Sequence, residues 1–152
     1  MGYSFKEYDS EHMARALGVA LPISFKQSYE VCNFIRNKKV AEAKKMLQEV
    51  IEKKRAVPYR RYNFDLGHKK KIGPGRFPEK TSTELLNLIQ SAEANAQFKG
   101  MNTSNLAIVH ISAHKASKAW HYGRKSRRKM KRTNVEIVLQ EKSKSEKTTE
   151  KK

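Results

Sequence analysis

The chain has 152 residues, and its 33 Lys plus Arg against 15 Asp plus Glu give a formal net charge of +18, with an isoelectric point near 10.1. A balance so basic points to a polyanionic partner, nucleic acid first, and the length suits one domain whose core depends on concentrating the 38% apolar residues in regular elements. The lone Cys32 excludes an internal disulfide and reads as a buried helix residue in a reducing compartment. No apolar run approaches the roughly 20 residues of a membrane span, and the N-terminus lacks a signal-peptide h-region, so a soluble cytoplasmic protein with no membrane partner is expected.

In chain order, Met1 to Arg15 is polar and extended, and Ala16 to Leu21 forms a short strand that Pro22 ends. Ser24 and Gln27 have capping-box spacing ahead of a helix whose apolar side holds Tyr29, Val31, Cys32, Phe34 and Ile35. It fades at Asn37-Lys38-Lys39, and a second helix carries Val40, Ala43, Leu47, Val50 and Ile51 as its stripe. Periodicity then disappears from Arg55 to Lys80, a long basic loop with Pro58, Pro74, Pro78 and the Gly73-Pro74-Gly75-Arg76 turn. Loops this long inside a domain tend to be functional or disordered, and this one reads as an insertion that RNA orders in preference to a flexible linker. Tyr59, Tyr62, Phe64 and Phe77 lie among its cations, and either stack on bases or pin the loop to the domain.

Thr81 and Glu84 form a second capping-box pair before a third helix with Leu85, Leu88, Ile89, Ala92 and Ala96 buried, stopped at Gly100. Leu106 to Ala113 and Val135 to Leu139 read as strands, the last with Val135, Ile137 and Leu139 alternating against Asn134, Glu136, Val138 and Gln140. The order strand, helix, helix, helix, strand, strand gives an α+β fold: a small antiparallel three-stranded sheet packed with three helices, bearing a long basic β-hairpin arm. Residues 1–140 form a single domain, with a globular part at 13–113 and 133–140, an arm at about 114–132 and the insertion at 55–80. Residues 141–152 are charged or small polar and read as a disordered tail without a site.

The arm is the most informative segment. Between Glu93 and Glu136 there is no acidic residue, so the cations there repel one another until a polyanion neutralises them. Candidate RNA contacts on the arm are Lys115, Lys118, Arg127, Arg128, Lys129, Lys131 and Arg132; elsewhere they are Lys38, Lys39, Arg60, Arg61, Lys69, Lys70, Lys71 and Arg76. Arginines clamp phosphates in bidentate geometry or stack on bases, whereas lysines act as point charges. At about 17 residues per strand and ~3.3 Å per residue the hairpin would reach on the order of 55 Å, and its order would have to come from RNA. Trp120 and Tyr122 either stack on bases or pack across the hairpin.

His110, His114 and His121 lie close along the chain, and nucleases combine His with Lys or Arg. The sequence places no Asp or Glu nearby to orient these rings, and it holds no metal-ligand spacing, nucleophile motif or phosphate-binding glycine loop, so no catalytic residue, metal or cofactor is expected. A free-standing RNA chaperone or architectural protein fits composition almost as well as any larger assembly.

The pattern from Phe34-Ile35-Arg36-Asn37-Lys38-Lys39 to Val40-Ala41-Glu42-Ala43, then Ser91-Ala92-Glu93-Ala94-Asn95-Ala96, then the hairpin ending in Lys131-Arg132-Thr133, resembles the universal large-subunit ribosomal protein family numbered twenty-two. The insertion around Gly67-His68-Lys69 and Gly73 to Pro78 looks like the archaeal and eukaryotic form, whose eukaryotic counterpart is numbered seventeen. The resemblance implies a protein of the large subunit that binds its 23S-type rRNA, bridges several rRNA domains during assembly, and touches neighbouring ribosomal proteins. It implies a globular part near the polypeptide exit, open to targeting factors, and an arm lining the nascent-chain tunnel. The tip facing the nascent polypeptide would be Trp120, His121, Tyr122, Gly123, Arg124 and Lys125.

Overall fold

A computed structural model describes residues 2–141 of the chain. In order, the elements are β1 (Met13–Leu21), α1 (Phe25–Ile35), α2 (Val40–Ile51), three short strands β2 (Val57–Pro58), β3 (His68–Lys69) and β4 (Gly73–Arg76), α3 (Glu79–Phe98), β5 (Leu106–Lys115) and β6 (Thr133–Glu141). β1, β6 and β5 form an antiparallel sheet in that order, and β2, β4 and β3 form a second small sheet. The α+β class and the three helices on a three-stranded sheet are as the sequence predicts. The second sheet is not, and it replaces part of the expected loop. Of the expected tail, Glu141 closes β6 opposite Leu106, and the remainder lies outside the described residues.

The two apolar periodicities meet on one face of the main sheet. Ala14 and Ala16 of β1, Val135, Ile137 and Leu139 of β6 and Ile108 and Ile111 of β5 pack with Val31 and Ile35 of α1, Leu47 and Val50 of α2 and Leu85, Ile89 and Ala92 of α3. Cys32 is buried among them, and desolvation pushes its thiol up to about 12. α3 lies along β1, α1 against β5, and α2 against α3, the last pair also tied by a Lys44–Glu93 ion pair.

β6 is buried on both faces, from Thr133 through Leu139. The residues that alternate away from the helices, Asn134, Glu136 and Val138, are covered as well. The N-terminal segment covers Glu136, to which Ser4 donates its backbone N–H at 2.9 Å, and brings Phe5 to 5.1 Å from the His110 ring, while Asn134 Oδ1 accepts the Ala20 N–H of β1 at 2.7 Å. Pairing with β6 from Met13↔Gln140 also starts β1 three residues before the expected Ala16.

Neither capping box forms. Ser24 precedes α1 but makes no side-chain cap bond, while Ser28 Oγ donates back to its carbonyl. α3 begins at Glu79, behind Pro78, so Thr81 falls inside the first turn, where its hydroxyl donates to Gln27 Oε1 at 3.4 Å. Thr81 of one presumed box and Gln27 of the other thus supply a contact between α1 and α3. At the other end, Gly100 adopts φ +76°, with Gly100 N–H on Gln97 C=O and Met101 N–H on Ala96 C=O, the Schellman arrangement that glycine favours.

Candidate nucleic-acid interface

β5 and β6 pair regularly out to Lys115↔Thr133. Past that point the arm is held by separated cross-strand bonds: Ala116 N–H to Arg132 C=O, then Met130 N–H to Ala119 C=O and His121 N–H to Arg128 C=O around a Trp120–Lys129 bridge. The ladder of about 17 residues per strand expected from the sequence gives way to ten residues in β5 and nine in β6. The physical reason is composition. Residues 116–132 offer no β-branched residue and no acid, so cross-strand pairs have little to bury and like charges face each other.

The turn itself centres on a short 3-10 segment, Gly123–Lys125, with Gly123 at φ +62°. Ser126 N–H reaches Gly123 C=O and Arg128 N–H reaches Lys125 C=O, both at 3.0 Å. Of the six expected tip residues, Tyr122, Gly123, Arg124 and Lys125 lie in this turn. Trp120 and His121 stand one step back on the stem, opposite Lys129 and Arg128. Lys129 Nζ lies 4.4 Å from the Trp120 ring centroid, whereas Tyr122 is 88% exposed and offers the open ring. Lys115, Lys118, Arg124, Lys125, Arg127, Arg128, Lys129 and Lys131 are exposed and Arg132 half-buried. Among the described residues, no Lys or Arg of the arm forms an ion pair.

One carboxylate anchors the insertion's backbone. Glu30 sits on the buried side of α1, and its oxygens accept the backbone N–H groups of Arg60, Arg61 and Tyr62 at 3.2, 3.0 and 2.9 Å. Successive N–H groups converging on an anion form a nest. Here the anion belongs to the protein, so a counter-charge that the sequence reading assigned to RNA is partly internal. Tyr59 is buried in the core and pins the loop; its desolvated hydroxyl is pushed up to about 12 and has no hydrogen-bond partner among the described residues. Phe64 is exposed.

Sequence-distant candidates come together in two places. Arg61 donates to Tyr29 Oη at 3.0 Å within a ring cluster of Phe25, Tyr29 and Tyr62, and Lys115 at the arm base lies 5.6 Å over Phe25. Lys38, Arg60, Lys69, Lys70 and Lys71 line one groove. Lys39 forms a bridge with Ala107 that covers the edge of β5, and Arg76 is exposed on β4 opposite Val57. Glu30, Phe25, Tyr29 and Arg55 were not among the sequence candidates. Only Glu30 left a signal, as an acid flanked by the helix's apolar positions.

The sequence also misled about the histidines. Glu136 faces Ser112 across the β5–β6 pair, and its Oε1 lies 2.8 Å from His110 Nε2 and 3.5 Å from His114 Nε2. Burial works to raise the Glu136 carboxyl, but bonds from the Ser4 hydroxyl and backbone, His110 and Ser112 outweigh it and hold it at about 2. The donors all converge on this one carboxylate beneath the N-terminal segment, which makes it a structural hub.

A model of the family described as Ribosomal protein L22p/L17e matches residues 16–140. The chain belongs to this family. It is 38% identical over 148 residues to the large ribosomal subunit protein uL22 of Archaeoglobus fulgidus, covering 92% of this chain and 96% of that one. Like-named proteins of Methanococcus aeolicus and Methanopyrus kandleri are 40% and 39% identical, over 89% and 90% of this chain and 94% and 91% of theirs. L22p/L17e is a family of ribosomal proteins and not of enzymes. The match runs from within β1 into β6, so both the insertion and the arm lie within the family's region.

Proposed function

We propose that this chain is a cytoplasmic structural constituent of the large ribosomal subunit that binds large-subunit rRNA beside neighbouring ribosomal proteins. The observation that carries this reading is the arm: nine Lys and Arg between residues 114 and 132, no acid among them, and no internal ion pair to neutralise them among the described residues. An arm with this charge and so little buried surface gains its order from phosphates, which it meets on several sides at once. The names of its uL22 relatives support the assignment to the large subunit.

In this proposal the globular part sits near the polypeptide exit, where its outer helices are open to targeting factors. The arm bridges rRNA domains during assembly and brings the turn around Tyr122, Gly123, Arg124 and Lys125 to the nascent-chain tunnel. Contacts are mainly to backbone and shape, because paired A-form RNA hides its base edges in a narrow groove. The test is sedimentation of the tagged full chain from cell extract. Co-migration with large subunits through a high-salt wash is expected; a predominantly free pool would replace the ribosomal reading with a free-standing RNA chaperone.

A further inference from the structure

We infer that the groove between the α1–α2 turn, the segment after α2 and the β3–β4 hairpin is a binding site for an unpaired nucleotide of RNA. The inference rests on the RNA-binding reading above and narrows it to one site and one conformational class of ligand. The groove is open, with a volume of about 610 Å³, within the ~300–1,000 Å³ span of small-ligand sites. Phe34, Met46, Ile72 and Phe77 supply its apolar lining, and no carboxylate lines it.

The charge on its walls is divided. Lys38, Lys54 and Arg55 are answered by Glu42, Glu52 and Glu49 at 3.1, 2.7 and 3.4 Å. Arg60, Lys69, Lys70 and Lys71 have no ion pair among the described residues, which leaves four positive charges beside two aromatic rings. Arg55 and Lys69 stand 5.2 and 5.6 Å from the centroids of Phe34 and Phe77. Ring and cation together form the kind of platform on which bases stack while the backbone follows the charge. A duplex satisfies only the cations, since its base faces are stacked inside it; an unpaired nucleotide uses cations and rings alike.

The hairpin turn places Lys71 on the groove. Lys71 holds φ +70°, a left-handed conformation in which glycine or asparagine is relaxed and lysine is not. A turn shaped for stability alone favours glycine there. This turn instead keeps a third consecutive lysine at the rim of the groove.

The test is a titration of the full chain, with ring-labelled phenylalanine followed by NMR, against a short single-stranded oligouridylate and an RNA duplex of equal length. The oligouridylate is expected to shift the Phe34 and Phe77 ring signals, and the duplex to leave them in place. Phe77→Leu should weaken the single-strand affinity read from the Phe34 ring by about tenfold. Lys71→Gly relieves the backbone and so keeps the fold, and should lower the salt slope of that affinity by about 0.7. Silent rings with duplex and single strand still bound elsewhere would overturn this site and leave the general reading standing. Failure to bind either RNA would overturn both.

Discussion

Replacing Arg124, Arg127, Arg128 and Lys129 together by glutamine tests whether the arm is the RNA-binding element. All four are exposed and form no ion pair among the described residues, although Lys129 also lies over the Trp120 ring. None belongs to the buried sheet, so the unfolding free energy should stay within about 0.5 kcal/mol of wild type. Each phosphate contact contributes roughly 0.7 to 0.9 to the slope of log affinity against log salt, so losing four should flatten that slope by about 3. Between 50 and 200 mM salt, a fourfold change, the affinity gap between wild type and variant should therefore narrow by roughly 60-fold. Fluorescence anisotropy on large-subunit rRNA fragments measures this directly. An unchanged slope, with affinity intact, would refute the reasoning and move the binding to the globular face.

Glu136→Gln removes the carboxylate that Ser4, His110 and Ser112 share. Its folded value is depressed to about 2 from an ordinary 4.5, so it contributes stability above about pH 4.5 and loses it as pH falls toward 2, a contribution of roughly 3 kcal/mol. Urea unfolding should show the variant less stable at pH 7 and the gap closing across that window; parallel pH profiles would contradict the network. Glu30→Gln leaves one oxygen for three backbone donors and should cost about 2 kcal/mol, with faster amide exchange confined to Arg60, Arg61, Tyr62 and the small sheet. Unchanged exchange there would mean the carboxylate does not order the insertion. Tyr59→Phe deletes a buried hydroxyl without a described partner and should be neutral or stabilising by up to about 1 kcal/mol in the same urea assay. A clear loss of stability would reveal a partner for it.

Local periodicity was enough to read the helices and the three strands of the main sheet, because each carries a regular buried stripe, such as Leu85, Leu88, Ile89, Ala92 and Ala96 on α3. The basic arm was legible for a different reason: forty-odd residues without an acid are visible whatever the fold. What escaped the sequence depended on partners distant along the chain. Glu136 is separated from Ser4 by 132 positions, and Glu30 from Arg60 by 30. Thr81 and Gln27 each matched a local capping pattern, and instead they bond to each other between α1 and α3. The groove escaped for the same reason, since Phe34, Arg55 and Lys71 meet only once the small sheet folds back on the helices.

In the proposed function the arm lies in rRNA with its turn toward the nascent chain. The most direct measurement is site-specific photocrosslinking from Tyr122, Arg124 and Arg128 in intact large subunits carrying a stalled nascent polypeptide. Crosslinks from Arg128 to large-subunit rRNA and from Tyr122 or Arg124 to the nascent chain are the predicted result. A chain that enters the subunit but crosslinks to neither from these positions would contradict it.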